Sequence, residues 1–174
     1  MRRRGILVLA LLGGCLGCTI GCTQGPAPDT KAKDEADIKA LEDRFMTAMS
    51  AKDAKAVMAS YVPNESLIVF DATPPRQYTG AAAYQKDFEG FFGMFPGPLA
   101  CNMSDLDVTA GGGDVAFSHS IQHCSMTDKD GKKSAITFRV TDGYKKINGQ
   151  WLITHEHVSV PVDLATMKPD LDSK

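Results

Sequence analysis

The sequence lacks two features that would assign its class at once, a long apolar run and an excess of positive charge. Residues 6–12 are apolar, but a transmembrane helix needs about 20 such residues, so we expect no permanent membrane span. The 19 Lys and Arg residues are outweighed by 21 Asp and Glu residues, which leaves a formal net charge of −2. A mildly acidic chain with scattered lysines is not expected to bind nucleic acid.

The chain is also poor in groups that could hold a metal ion. His119 and His123 would lie about 13 Å apart along a strand, which is too far for one ion. His155 and His157 are closer, but a zinc site needs a third ligand, and no carboxylate or cysteine has the required spacing. We therefore expect neither a metal nor another cofactor.

The first 22 residues have the pattern of an export signal. Arginines at residues 2–4 precede the short apolar run, as in a secretory signal. A glycine precedes each of Cys15, Cys18 and Cys22, and this resembles the lipobox of bacterial lipoproteins, in which the cysteine is lipidated. We expect an exported protein that is either lipid-anchored at the cell envelope or free in the periplasm or outside the cell.

The rest of the chain has the length of a single domain. We divide the sequence into a signal segment (residues 1–22), a linker (23–33), a domain (34–162) and a polar tail (163–174) that we expect to be frayed. Without the three arginines of the signal, the net charge becomes −5.

The first half of the domain predicts three helices. Apolar residues recur at helical spacing over residues 34–51, 53–61 and 80–95, and residues 66–71 form a short strand pattern between the second and third helices. Asp34 and Thr79 are placed to cap the first and third helices. The aromatic stripe of the third helix is more typical of core packing than of a ligand site. The pocket candidates are instead Tyr78 and Tyr84, which carry a hydroxyl group, and Trp151, which carries an indole N–H.

The second half predicts four long strands, over residues 99–109, 115–126, 134–145 and 150–160. The separators contain Gly112–Gly113, Asp130–Gly131 and Asn148–Gly149, which favour tight hairpins. Three helices followed by an antiparallel meander predict an α+β domain with the helices over one sheet face. A curved sheet of this kind leaves a cavity beneath the helices, where a small ligand would bind.

The order of elements, together with FDATPPRQYTG at residues 70–80 and WLITHEHVSVP at 151–161, resembles the SnoaL-like proteins. These belong to the nuclear transport factor 2-like superfamily, which includes ketosteroid isomerase. The resemblance implies a cone-shaped domain in which a curved antiparallel sheet wraps over three N-terminal helices, a fold also called cystatin-like. It also implies binding of a small apolar or amphipathic molecule and homodimerisation through the outer sheet face.

By this resemblance, Asp71 takes the position of the acid/base aspartate of ketosteroid isomerase. The partner phenol falls on Phe45, which has no hydroxyl, and the protonated carboxyl falls near Thr141. The donors for a developing enolate oxygen are therefore missing or changed, which argues against steroid-type isomerisation. Asp71 could still act as a base, or it could only cap its own loop.

Side-chain alternation places His155 and His157 on the same strand face as Trp151, as parts of a pocket wall. Either histidine is then a second candidate for proton transfer, and His119 is a candidate ligand contact. The direction in which the Arg139 side chain points depends on the length of the turn around Asn148–Gly149. With a two-residue turn His157 faces Val140, and with a three-residue turn His157 faces Arg139. An inward Arg139 would bind an anion or carboxylate, whereas an outward one would be solvated.

Two cysteines, Cys101 and Cys124, remain in the domain. A hairpin closed by Gly112–Gly113 places them directly opposite each other, and in an oxidising compartment they could form a disulfide. The alternative is two buried thiols.

Two functions are consistent with the sequence. The first is an exported small-molecule-binding domain, with an isomerase, cyclase or dehydratase type of proton transfer if it is an enzyme. The second is a non-catalytic binding or dimerisation module of the envelope.

Overall fold

A computed structural model describes residues 30–172. The helices are α1 (Lys31–Ala51), α2 (Ala54–Met58) and α3 (Ala81–Met94). The strands are β1 (Ile68–Phe70), β2 (Tyr78–Thr79), β3 (Leu99–Ala110), β4 (Val115–Thr127), β5 (Lys133–Ile147), β6 (Gln150–Ser159), β7 (Val162–Asp163) and β8 (Lys168–Pro169). None of the helices in residues 30–172 is long and apolar enough to cross a membrane.

Six strands form one sheet in the order β2-β1-β6-β5-β4-β3, and the helices lie against its concave face. The α+β class is therefore confirmed, but the sheet is mixed rather than antiparallel, because β1 pairs with β6 in parallel. The chain enters β1 from the helical layer instead of from a tight turn, so nothing forces the antiparallel direction on this pair.

The long first helix begins earlier than the sequence suggested. It starts at Lys31, with Thr30 at the N-cap position, so Asp34 lies inside the first turn instead of capping it. Asp34 is fully buried and accepts a hydrogen bond of 2.9 Å from the Thr30 hydroxyl. The predicted apolar stripe is confirmed, and its buried members are Ile38, Leu41, Phe45, Ala48 and Met49.

The other two helices complete the layer. Asp53 caps α2, since its carboxylate accepts a 2.9 Å bond from the Ala56 N–H. The N-cap of α3 is Gly80 rather than Thr79, and its φ of 86° lies in the region that favours glycine. The buried aromatic residues of α3 are Tyr84, Phe88 and Phe92.

A disulfide joins Cys101 of β3 to Cys124 of β4, and the two residues are paired directly in the ladder. The register next to the turn differs from the predicted one by one residue, since Ala110 pairs with Ala116. A bulge between Ser104 and Asp107 takes up the extra residue and brings the cysteines opposite each other.

The β5–β6 hairpin closes with a two-residue turn at Asn148–Gly149, where both residues have positive φ. A second bulge follows, because Tyr144 pairs with Ile153 whereas Gly143 pairs with His155. Thr154 is the extra residue.

The C-terminal segment is more ordered than the frayed tail that its composition suggested. Strands β7 and β8 form a small hairpin. Beyond it, the Leu171 carbonyl accepts a hydrogen bond of 3.0 Å from the Thr137 N–H of β5, because β6 ends at Ser159 and leaves that part of β5 unpaired. A backbone N–H of β5 that β6 does not pair with therefore forms a hydrogen bond with the C-terminal segment.

Candidate functional site

The concave face of the sheet is polar where a simple core would be apolar. The buried polar side chains on this face are Ser118, Ser120, Gln122, Asp142 and Glu156, and Glu42 of α1 is buried as well. Buried polar groups are costly unless they are hydrogen-bonded, so such a set indicates a structural network or a ligand site.

Glu156 is the centre of this network. One of its oxygens accepts a 2.6 Å bond from the Tyr61 hydroxyl, and the other accepts a 2.6 Å bond from the Tyr84 hydroxyl. Burial raises the pKa of the Glu156 carboxyl, and the two phenol donors offset part of that rise. Burial and the nearby Glu156 charge raise the pKa of both phenols well above the ordinary value, so they remain donors.

Asp142 lies directly opposite Glu156 in the β5–β6 ladder, and the two carboxyls are hydrogen-bonded. Burial is the main cause that raises the pKa of Asp142, followed by the charges of Glu156 and Glu42. Burial raises the pKa of both carboxyls, and two carboxyls in contact favour a state in which they share a proton over one in which both are charged.

Glu42 joins the network from α1. Its Oε1 accepts a bond of 2.6 Å from the Tyr144 hydroxyl, whose oxygen lies 2.7 Å from the Ser118 hydroxyl. Because the single phenol proton goes to Glu42, Ser118 is the donor to Tyr144. Burial raises the pKa of Glu42 to about 7.

Asp71 connects the network to the surface. It follows β1 and is half-buried, and its Oδ2 lies 3.2 Å from the Tyr84 hydroxyl. Its Oδ1 accepts bonds from the Thr73 N–H (2.9 Å) and hydroxyl (3.1 Å). The aspartate therefore caps its loop, as one alternative held, and also contacts a phenol that is bonded to Glu156.

The predicted facing of the two β6 histidines is wrong. Trp151 and Ile153 point inward, but the bulge at Thr154 shifts the alternation so that Glu156 points inward and His155 and His157 lie on the outer face. The His155 Nδ1 donates to the Ile68 carbonyl at 2.9 Å. Both imidazoles pack edge-on against Phe70, with centroid distances of 5.1 and 5.8 Å.

The remaining candidates separate into inner and outer positions. Arg139 is exposed and pairs with Ser159, so the outward alternative holds, and His119 is exposed on the same outer face. Trp151 is buried but donates to Asp34, away from the carboxyl network. Tyr78 donates to Asp87 at 2.5 Å. Tyr84 is the predicted aromatic residue that reaches the network.

Sequence reasoning missed Glu42, Asp142 and Glu156, although two of them had a signal. Asp142 continues the inward alternation of Val140 and Tyr144. Glu42 follows Ile38 by four residues and precedes Phe45 by three, which places it on the buried stripe of α1. Glu156 gave no such signal, because the alternation of β6 predicts the wrong face for it.

Two surface cavities lie outside the network. One, of about 580 Å³, is formed by α1, α2 and the β5–β6 turn, and its lining includes Arg44, Ser60 and Trp151. The other, of about 380 Å³, lies along α1 and α2. The three carboxyls are instead closed to solvent, since Glu42, Asp142 and Glu156 expose 1%, 2% and 4% of their surface.

Comparisons with known proteins place this geometry in context. Residues 38–163 match the family model of the SnoaL-like domain. The chain is 33% identical to an NTF2-like protein of unknown function from Pseudomonas putida KT2440, with a TM-score of 0.73 over 82% of this chain and 97% of that one. No curated protein shows a significant match.

Two more distant structures share the fold. A protein of Nostoc punctiforme with a cystatin-like fold is 18% identical, with a TM-score of 0.60 over 78% of this chain and 96% of that one. A ketosteroid isomerase-like protein from Erwinia carotovora atroseptica is 19% identical, with a TM-score of 0.61 over 73% and 95%.

Proposed function

Because the chain belongs to the SnoaL-like family and has the nuclear transport factor 2-like fold, we propose that it binds a small apolar or amphipathic molecule between helices and sheet and transfers a proton there. The observation that carries the proposal is the chain of contacts from Asp71 through Tyr84 to Glu156 and Asp142. It connects a carboxylate at the surface to a buried carboxyl pair that holds a proton.

The two ends of this path suit opposite roles. The buried pair keeps a proton because burial raises the pKa of both carboxyls, so it can act as the acid. Asp71 is partly solvated and bonded to backbone N–H, so it can act as the base. Titratable groups in such different environments are typical of acid–base catalysis. The reaction class would be an isomerisation, cyclisation or dehydration.

The site differs from that of ketosteroid isomerase in the origin of its phenols. Phe45 occupies the expected position on α1, and the hydroxyls come instead from Tyr61, Tyr84 and Tyr144. The similarity to a ketosteroid isomerase-like structure, at 19% identity, is a similarity of fold, and one fold can host many different activities.

The test begins with native mass spectrometry of the protein purified from its own envelope, to identify a bound molecule. We expect Asp71→Asn to abolish turnover of that molecule while its binding persists, and Tyr84→Phe to slow turnover. Asp87→Asn is the matched control, because Asp87 lies on α3 and bonds Tyr78 outside the path. Unchanged turnover in Asp71→Asn would remove the catalytic proposal.

A second function, dimerisation without catalysis, is supported by the outer sheet face. Phe70 and Phe117 expose 39% and 50% of their surface on this face, beside the histidines. Exposed aromatic residues on one face suit a protein interface. We expect Phe117→Glu to convert a dimer to a monomer in sedimentation velocity, whereas Met94→Glu, an exposed position on α3, should leave the dimer intact. A wild-type monomer at high concentration would contradict this function.

We also propose export and lipid anchoring through one of Cys15, Cys18 and Cys22, on the basis of the sequence pattern. These cysteines lie outside the described residues.

A further inference from the structure

The larger of the two surface cavities has the size of a small-molecule site. It measures about 580 Å³ and lies between α1, α2 and the β5–β6 turn, within the range of about 300–1,000 Å³ that is usual for such sites. Small side chains leave this space open, since Ala40 of α1, Ala56 of α2 and Ala59 at the end of α2 line it. No residue of the proton path from Asp71 to Asp142 is part of the lining, so the cavity is a separate place in the molecule.

One buried polar side chain of this cavity has no partner. Ser60 is part of the lining and exposes 6% of its surface. Its backbone groups are bonded to Val57 and Ile153, but its hydroxyl forms no hydrogen bond with any residue from 30 to 172. Buried hydroxyl groups are usually hydrogen-bonded, so this one is available to a polar atom inside the cavity.

The unpaired charge at this cavity is positive. Arg44 is an exposed residue of the lining, and no ion pair within the described part of the chain includes its guanidinium group. The acidic residue of the lining, Asp37, is paired with Lys33, so its charge is already offset. Asp43 and Asp53 line the second cavity rather than this one. An arginine with no carboxylate partner is suited to bind the carboxylate of a ligand through two parallel hydrogen bonds.

Leu41 and Trp151 give the cavity an apolar wall. They expose only 2% and 5% of their surface, so both are held firmly by the core. The Trp151 indole N–H is already bonded to Asp34, and the residue therefore offers its ring to the cavity rather than a donor. An apolar body that covers these side chains would gain free energy by leaving water.

We propose that this cavity is a second binding site, and that it takes a small monocarboxylate with an apolar body. The carboxylate pairs with Arg44, the body covers Leu41 and Trp151, and the Ser60 hydroxyl forms a further hydrogen bond with the ligand. A neutral molecule of the same shape binds less tightly, because only the anion uses the unpaired guanidinium group. The inference goes beyond the proposed function and does not depend on it.

The test compares three molecules of nearly equal shape: 3-phenylpropanoate, 3-phenylpropan-1-ol and 3-phenylpropylammonium. Each is titrated into the full chain at pH 7.5 by isothermal calorimetry. We expect the carboxylate to bind at least about tenfold more tightly than the alcohol, because only the carboxylate pairs with Arg44. The ammonium should bind no more tightly than the alcohol, because Asp37 already has Lys33 as its partner.

Three variants locate the ligand, and two of them have matched controls. Arg44→Gln should abolish the preference for the carboxylate over the alcohol, whereas Lys39→Gln, at an exposed position of α1 outside the lining, should keep it. Ala40→Leu fills the cavity and should weaken binding of the carboxylate by at least about tenfold, whereas Ala83→Leu, exposed on α3, should not. Ser60→Ala removes one hydrogen bond and should weaken binding by about threefold.

Each other outcome overturns the inference. If the alcohol binds as tightly as the carboxylate, or if none of the three molecules binds, the cavity is not a carboxylate site. If the carboxylate binds equally to the wild type, Arg44→Gln and Ala40→Leu, it occupies another part of the molecule. The proposed function is tested at Asp71 and Tyr84, which do not line this cavity, so either proposal can fail without the other. Circular dichroism checks the fold of each variant.

Discussion

At the scale of single residues, the charge of the interior depends on carboxyls that are bonded to phenols rather than to cations. A phenol gives a carboxylate one hydrogen bond but no opposite charge, so burial prevails and the pKa of Glu42, Asp142 and Glu156 rises. Of these three carboxyls, Glu42 has a pKa of about 7, so its protonation changes near neutral pH, which is suitable for proton transfer.

Glu42 links this protonation to stability. Its pKa is about 7 in the folded protein, against an ordinary value of 4.5, so its contribution is fully present below pH 4.5 and is lost as the pH rises through 7. We expect Glu42→Gln to be more stable than the wild type at pH 8, by up to about 3 kcal/mol, because it removes a buried charge. At pH 4 the two proteins should be alike.

Urea unfolding from pH 4 to pH 8 measures this effect, with Glu89→Gln as an exposed control. A stability difference between Glu42→Gln and the wild type that does not grow between pH 4 and pH 8 would contradict it. Part of the pH dependence should persist in the variant, since Asp142 and Glu156 also titrate with a raised pKa.

Tyr84 gives a second prediction at this scale. Tyr84→Phe leaves an oxygen of the buried Glu156 without its donor, and we expect a loss of about 1–3 kcal/mol in the free energy of unfolding. Tyr78→Phe is the matched control: its hydroxyl bonds the partly exposed Asp87, which water can solvate instead, so the loss should be smaller. Thermal and urea unfolding at pH 7 compare the two, and equal losses would show that the buried network adds nothing.

At the scale of elements, two β-bulges decide which side chains face the interior and which pair across strands. The bulge between Ser104 and Asp107 aligns the two cysteines, and the bulge at Thr154 turns Glu156 inward. Each adds one residue to one strand, and this is enough to exchange the faces of the residues that follow.

The aligned cysteines close a loop with a sequence separation of 23 residues. By loop entropy, the double variant Cys101→Ala/Cys124→Ala should lose about 3 kcal/mol in the free energy of unfolding relative to the oxidised wild type. Urea unfolding with and without reductant measures the loss, and intact mass spectrometry of the native protein reports the bond directly. Reductant should not affect the double variant. Two free thiols in the native protein would contradict the prediction.

The start of α1 is attached to the β5–β6 hairpin by an ion pair. Lys146 lies 2.6 Å from the buried Asp34, which also accepts from the Trp151 indole N–H at 3.3 Å. The hydrogen bond from Lys146 is the main cause that holds the pKa of Asp34 below its ordinary value of 3.8.

Lys146→Met should lower the free energy of unfolding by about 2 kcal/mol at pH 7, because it leaves Asp34 charged and buried with weaker donors. Since a lowered pKa stabilises above the unfolded value, the difference should shrink as the pH falls below about 4. Lys145→Met, on the exposed face of the same strand, is the control. Equal stability of the two variants at pH 7 in urea unfolding would exclude a role for the pair.

At the scale of the whole molecule, the two sheet faces have different chemistry. The concave face holds acids and phenols beneath the helices, whereas all four histidines and two exposed phenylalanines lie on the outer face or its edge. Binding of a small molecule and association with a second copy would therefore use separate surfaces and could occur together.

The proposed anchor gives a prediction for the full chain. Produced in a bacterium that processes lipoproteins, the chain should enter the detergent phase of a Triton X-114 partition, because a covalent lipid holds it at membranes. Replacing Cys15, Cys18 and Cys22 by serine should move it to the aqueous phase, whereas Cys101→Ala/Cys124→Ala should not. If the wild-type chain is found in the aqueous phase, the proposal of a lipid anchor fails, and export without an anchor remains.

Much of the fold could be predicted, because hydrophobic period and turn residues act locally. The four long strands begin and end within two residues of their predicted bounds, and the turn at Asn148–Gly149 has the two residues that its sequence favours. The site was less predictable. Asp71 and Tyr84 were found, but His155 and His157 were placed inward, since no residue near Thr154 marks a bulge.

The sequence by itself determined the order of the helices and long strands and the hairpins between them, since each depends on neighbours along the chain. Only the tertiary structure decided that β1 runs parallel to β6, that Glu156 rather than its flanking histidines faces inward, and that three carboxyls meet beneath α1. Those outcomes depend on pairing between distant strands, where one extra residue or one strand direction changes which side chains meet.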